Sequence, residues 1–393
     1  MIMDIQTILT RGVAEVIEKK HLEQALKSGK KLRVKLGIDP TSPNIHIGRA
    51  VLLLKLRAFQ EAGHTAIFII GDSTGIVGDT SDKESERPML TEKQIKANMK
   101  TYLAQAYTIL DKKKTEVYYN SKWLNKLGFL ELARMANLFG LHEMESREII
   151  ARRLSAGQRV SIHEILYPLM QGYDSVAVKA DLELGGTDQR FNLLAGRRIQ
   201  PMYDQTPQDI LMMELLEGTD GRKMSSSWGN VINVTDEPAE IFGRVMSISD
   251  ELIIRYFILC TEVPESEIAS MAMALKNKSV NPRNLKSKLA FEIVKLYHGE
   301  KPAKTAHEGF ESKFGTRQGE VSADFEIKKT AGSYSIVDIL VEGKLASSKS
   351  EARRKLREGA VEIDGSKITD ETASVKLTKG TLIRLGKRFL RIK

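Results

Sequence analysis

The chain of 393 residues has a single cysteine, Cys260. A lone thiol excludes an intramolecular disulfide and any zinc cage built on cysteines. No stretch reaches the ~18 consecutive apolar residues that a membrane span needs. The apolar run near the N-terminus is too short for a signal-peptide core, and Asp4 breaks it. No internal repeat and no low-complexity tract is visible. These absences point to a soluble protein of a reducing compartment, and the expected location is the cytoplasm. What is present is ordinary for a large globular protein, 41% hydrophobic and 28% charged. At roughly 100–200 residues per domain, two to four domains are expected.

The charge is uneven. The formal net charge is +9. Residues 333–393 hold 14 Lys/Arg against 8 Asp/Glu, a net +6 in 61 residues. A helix is expected over Ser350–Glu358, capped by Ser347 or Ser348 and ended by Gly359. Lys349, Arg353 and Arg357 share one face of it. A strand over 361–363 enters a tight Asp364-Gly365 turn, and two alternating strands close the chain. Composition alone fits a solvated basic face as well as a polyanion site.

The N-terminal two thirds reads as α/β. Leu32–Ile38 is a strand, Asp39–Pro43 a proline-bearing loop, Gly48–Ala62 a helix, and Ala66–Ile70 a buried parallel strand. Strand, helix, strand makes a right-handed βαβ unit, whose ligands bind beyond the carboxyl ends of the strands. Helices are expected over Thr91–Asp111, Gly128–Phe139, Ser146–Ala156 and His163–Tyr173. Ser175–Glu183 alternates like a strand, the loop Gly185–Asp188 follows, and a helix starts near Gln189. The chain turns helical after Val234 as far as Gly315. Residues 316–332 read as a weakly structured link.

Two short motifs stand out. His46-Ile47-Gly48-Arg49 opens a helix after a strand, where a histidine and free amides suit charge on a phosphate. A histidine there is more commonly a cap. Lys223-Met224-Ser225-Ser226-Ser227 suits a mobile phosphate clamp, although serine-rich loops are commonly only loops. Tyr167, Gln171 and Asp174 share one helical face, which is also what an ordinary polar face looks like.

Taken together and in this order, the two motifs resemble the HIGH and KMSKS signatures of class I aminoacyl-tRNA synthetases. The stretches 167–174 (YPLMQGYD) and 184–192 (LGGTDQRFN) are similar to the tyrosine-binding helix and following loop of bacterial tyrosyl-tRNA synthetases. The tail, with Ser348–Leu356 followed by Gly359–Gly365, resembles the S4 RNA-binding domain. The likeness covers nearly the whole chain and is nearest to the longer-chain bacterial branch. It implies a Rossmann-like parallel-sheet catalytic domain over 1–222 with a helical insertion near 125–160. A helical anticodon-side domain over 223–315, the link 316–332 and an α+β S4-like domain over 333–393 would follow.

The resemblance also implies the chemistry. The tyrosine carboxylate attacks the α-phosphate of ATP, and tyrosyl-adenylate then esterifies the terminal ribose of tRNA(Tyr). Thr41 and His46 would face the γ-phosphate side, Gly48 would pack under adenine, and Asp39 would lie by the adenylate. Lys83, Arg87 and Lys223 would meet the leaving pyrophosphate, with Met224, Ser225 and Ser226 in the same loop. Gly186 and Asp188 match ribose contacts. Asp79, Tyr167 and Gln171 match the α-ammonium site, Asp174 the phenol acceptor, and Gln189 an auxiliary contact. Phenylalanine would leave a buried Asp174 unpaired, so no editing domain is expected. Lys349, Arg353, Arg354 and Arg357 would meet RNA. Magnesium would arrive with ATP, with no protein metal site. A homodimer is implied, with Gly128–Ala156 near its interface.

Three positions depart from the family pattern. Arg49 stands where HIGH has its second histidine, and Ser226 replaces the second lysine of KMSKS. Lys35 and Leu36 occupy the strand where the shorter-chain branch places a second phenol-reading tyrosine. A tryptophanyl-type synthetase and a non-catalytic RNA-binding homologue are the alternative readings.

Overall fold

The computed structural model describes residues 4–79, 89–314, 323–386 and 388–393. Contacts divide the chain into two compact units, Met1–His307 and Glu308–Lys393.

The first unit is built on a six-stranded sheet: β1 (Val13–Ile17), β2 (Arg33–Ile38), β3 (Thr65–Ile70), β4 (Thr115–Tyr119), β5 (Leu182–Gly186) and β6 (Asp209–Met213). Their spatial order is β1-β6-β5-β2-β3-β4, all parallel except β1 against β6. Ala66–Ile70 is fully buried, as an apolar, branched run in a sheet covered on both faces must be. The chain winds outward from β2 to β3 and β4, then resumes on the other side with β5 and β6. Between β2 and β5 lies the switch point at which open parallel sheets bind ligands.

Three helices frame that point or brace it. Helix α1 (Ile47–Glu61) follows β2, and His46 is its N-cap. Helix α2 (Ile162–Val178) precedes β5 and α3 (Arg190–Ile199) follows it. The last two pack closely because position 172 is glycine. A Cβ there would lie 2.7 Å from Ile199 Cδ1 and 3.1 Å from the Ala195 carbonyl carbon. Helices α4 (Pro238–Met246), α5 (Ile253–Cys260) and α6 (Pro282–His298) belong to the helical region after Val234.

Some expectations need correction. Thr91–Asp111 is not one helix but Glu92–Met99 and Tyr102–Ala106, and strand β4 follows. Residues 175–178 continue α2 rather than forming a strand, because Ser175 turns inward to buried polar partners. The segment 316–332 contributes a strand, β7 (Phe325–Ile327).

In the second unit β7 joins β9 (Val361–Ile363), β10 (Ser366–Ile368), β12 (Leu382–Leu385) and β13 (Arg388–Ile392) in one sheet, while β8 (Gly332–Ser335) pairs with β11 (Ser374–Leu377). Helices α7 (Ile336–Glu342) and α8 (Lys349–Arg357) pack on a core that includes Leu340, Leu356, Ile383 and Leu390. Ser348 caps α8 by accepting from the Glu351 amide at 3.2 Å. Asp364 and Gly365 both have positive φ, 47° and 80°, as a two-residue hairpin turn of this twist requires. No helix among the described residues is long and apolar enough to cross a membrane.

Candidate active site

A cavity of about 260 Å³ opens at the carboxyl ends of β2 and β5. It brings together segments far apart in sequence: Asp39, Thr41, His46 and Gly48; Asp79; Tyr167 and Gln171; Gly186, Asp188 and Gln189; Lys223 to Ser226. Lys83 and Arg87 lie outside the described residues.

His46 acts first as a cap. Its Nδ1 accepts from the Arg49 amide at 3.3 Å, which leaves the proton on Nε2. Burial, with the cations Arg49 and Lys223 adding, pushes the imidazole down to about 3. At neutral pH it is therefore an uncharged hydrogen-bond donor. Gly48 lies close to its ring, and a Cβ at 48 would lie 3.1 Å from Nδ1.

Arg49 has a distinct task. Its guanidinium donates to the Asp39 carbonyl at 3.3 Å, to the Tyr102 hydroxyl at 2.6 Å and to Thr41 Oγ1 at 3.1 Å. It thereby ties the loop after β2 to the helix Tyr102–Ala106. A histidine at this position could not make that three-way fork.

Asp39 accepts from Thr74 Oγ1 at 2.6 Å and from the Tyr167 hydroxyl at 2.9 Å. That approach depends on Gly71, where a Cβ would sit 2.0 Å from Asp39 Oδ1. Burial, then Asp39 and Asp79, raise the Tyr167 phenol well above its ordinary value, so it stays a donor. Asp79 accepts from Gln189 Nε2 at 2.6 Å, and the Arg147 guanidinium stands 3.9 Å away. On the loop side Lys223 Nζ donates to Asp188 Oδ2 at 2.8 Å. Asn230 organises this loop, accepting from the Ser225 amide at 2.9 Å and donating to Asp220 at 2.7 Å. Ser226 Oγ is 3.4 Å from Ser42 Oγ.

Asp174 is placed differently. It is 3% exposed and is not among the residues that line the cavity. Trp123 Nε1 donates to one of its oxygens at 2.7 Å and Asn120 Nδ2 to the other at 3.1 Å. Burial is the largest influence on it and raises its carboxyl to about 7, against the lowering effects of Lys35, Trp123 and Asn120.

The sequence model for class I tRNA synthetases (W and Y) matches residues 27–315, and that for the tyrosine–tRNA ligase SYY-like C-terminal domain matches residues 320–390. A tyrosine–tRNA ligase of Thermotoga maritima is 46% identical over 387 residues, spanning 98% of this chain and 96% of the relative. The chain belongs to the tyrosine–tRNA ligases. A second member, from Oleidesulfovibrio alaskensis, is 45% identical over 397 residues, covering 100% of this chain and 99% of its own. A solved, C-terminally truncated mitochondrial tyrosyl-tRNA synthetase of Aspergillus nidulans shares the fold, with a TM-score of 0.64 over 79% of this chain and 93% of that one at 22% identity.

In this tyrosine–tRNA ligase the sequence motifs leave several residues at or behind the cavity unflagged. Thr74 sits at the carboxyl end of β3, and the strand-end rule alone could have found it. Asn120 and Trp123 lie just beyond β4 and were hidden with that strand. Asn230 carries no motif signal, because an asparagine in a polar loop looks like any turn residue. In the second unit Arg353 is exposed on α8. Three of the other tail cations have acidic neighbours: Lys349 lies 2.8 Å from Asp338, Arg357 3.6 Å from Glu371 and Arg354 3.8 Å from Glu358. All three cations are well exposed, so these are weak, easily exchanged pairs.

Proposed function

We propose that the cavity at the switch point forms tyrosyl-adenylate from L-tyrosine and ATP, and that the same chain then transfers tyrosine to the 3′-terminal ribose of tRNA(Tyr). The observation that carries this reading is the meeting of both signature loops around one cavity at the ends of β2 and β5, with Lys223 on Asp188.

In the first step a tyrosine carboxylate oxygen bonds to the α-phosphorus, and the bond from that phosphorus to the bridging oxygen breaks, releasing pyrophosphate. No covalent enzyme intermediate is needed, so catalysis is positioning and charge stabilisation. Neutral His46 donates to a phosphate oxygen without repelling the metal that arrives with ATP. Thr41, held by Arg49, lies beside it. Gly48 leaves room for the adenine ring. Asp188 and Gly186 take the ribose hydroxyls. Lys223 then exchanges its Asp188 partner for the departing pyrophosphate, joined by Lys83 and Arg87, while Met224, Ser225 and Ser226 move with it. Asp39 steadies the adenylate side through Tyr167.

Asp79, Tyr167 and Gln171 hold the α-ammonium, with Gln189 orienting Asp79. Asp174 accepts a hydrogen bond from the phenol hydroxyl. A carboxylate has about four acceptor positions, and Asn120 and Trp123 use two, so acceptor capacity remains. Magnesium comes with ATP as part of the substrate. Among the described residues no cluster of three or more His, Cys, Asp or Glu stands ready for a metal. The tail cations Lys349, Arg353, Arg354 and Arg357 bind the tRNA backbone. The protein works as a homodimer in the cytoplasm.

Asp174→Ala is expected to abolish tyrosine-dependent ATP–pyrophosphate exchange. Exchange at the normal rate in a folded Asp174→Ala variant would remove the phenol-reading role.

A further inference from the structure

Lys35 and Glu183 are registered neighbours on β2 and β5, and their side chains are 0% and 1% exposed. Their closest approach is 2.8 Å. Lys35 Nζ also donates to the Gln171 carbonyl at 2.9 Å and to Ser175 Oγ at 2.8 Å, so all its donors are used. Glu183 receives four donors. Lys35 and the Gln171 amide (3.1 Å) share Oε1, while Ser175 Oγ (3.1 Å) and the Gln208 amide share Oε2. The network is saturated; Lys35 is not among the residues lining the cavity, whereas Glu183 is.

A buried ion pair contributes little net stability over an apolar pair of similar volume. What this pair does is geometric. Gln171 is gripped twice, by its backbone carbonyl through Lys35 and by its side-chain amide through Glu183. Ser175, one turn further along α2, is gripped by both. Gln171 lines the cavity, and Asp174 lies between the two gripped residues in sequence.

We propose that the buried Lys35–Glu183 pair is a positioning pair for amino-acid selection, locking Gln171 and the adjoining turn of α2 in the place where tyrosine is read, with Lys35 acting from behind the cavity wall. The proposal rests on the reading of Gln171 as a tyrosine contact.

The test is pyrophosphate exchange by the full chain, with KM measured separately for tyrosine and for ATP. The variant is Lys35→Met combined with Glu183→Gln, which removes both charges together and so leaves no orphaned ion. We expect a cooperative melt, KM for tyrosine raised about tenfold and KM for ATP within about twofold of the parent. Ser175→Ala cuts the same network without a charge change, and it is expected to raise KM for tyrosine about threefold with the ATP value unmoved. It decides the matter if the double variant does not fold. An unchanged KM for tyrosine, or an equal rise in both constants, overturns the proposal. Exchange of the unaltered chain with a different amino acid would instead overturn the tyrosine reading itself, before any variant is made.

Discussion

Asp174 carries a cost that the fold bears for the sake of its site. Its carboxyl is raised to about 7 because burial outweighs Lys35, Trp123 and Asn120. The folded chain therefore holds a proton here at pH values where the unfolded chain, near 3.8, has lost it. Stability from this group is fully present below the unfolded value and is lost as pH rises through about 7. Asp174→Asn removes the titration. Relative to that variant, the unaltered chain is expected to lose thermal stability between pH 4 and pH 8, measured as the difference in Tm at each pH. A difference that stays constant across that range would show that Asp174 does not titrate in the folded state. His46 is the opposite case: it is neutral throughout this range, because burial and two nearby cations hold it at about 3. Burial is the largest cause at both, and neither the burial nor the distant partners Lys223 of His46 and Lys35, Trp123 and Asn120 of Asp174 could be read from a motif, although Arg49 lies in the same motif as His46.

At the scale of elements, legibility followed burial. Strand β3, buried from Ala66 to Ile70, and the amphipathic α1 and α8 are readable, because their patterns are regular. Strand β4 was not. It lies at the sheet edge, all five of its residues are only half-buried, and it follows a run of three lysines. The end of α2 was misread for another reason: Ser175 faces inward to a lysine and a glutamate, so a polar residue there breaks the helical pattern. The helices between 128 and 162 pose the opposite puzzle, since they leave Phe129, Leu130, Leu141, Leu154 and Ile162 exposed, Phe129 at 83%. Large apolar side chains concentrated in one segment support the proposed homodimer. On that reading the double substitution Phe129→Asp and Leu130→Asp is expected to yield monomers in sedimentation equilibrium, against a dimeric parent. A dimer that survives the change, or a monomeric parent, would refute the interface.

On the scale of the molecule, the charge of +9 divides between two compact units. The +6 of residues 333–393 belongs to the second, whose sheet also takes in β7 from the stretch read as a link. The catalytic reading needs only the first unit. There the order of strands creates a switch point, and the two signature loops meet at it although 177 positions separate His46 from Lys223. Of the residues the motifs single out, His46, Gly48, Tyr167, Gln171, Asp188 and Lys223 line one cavity, Asp174 does not, and Lys83 and Arg87 lie outside the described residues. The motifs did not tell what holds them, which is Arg49, Thr74, Asn120, Asn230 and the Lys35–Glu183 pair. Tyrosine activation by these gathered groups is decided by ATP–pyrophosphate exchange by the full chain with each of the twenty amino acids. Exchange is expected with tyrosine alone. Exchange with tryptophan, or with none of the twenty, would rule that reading out.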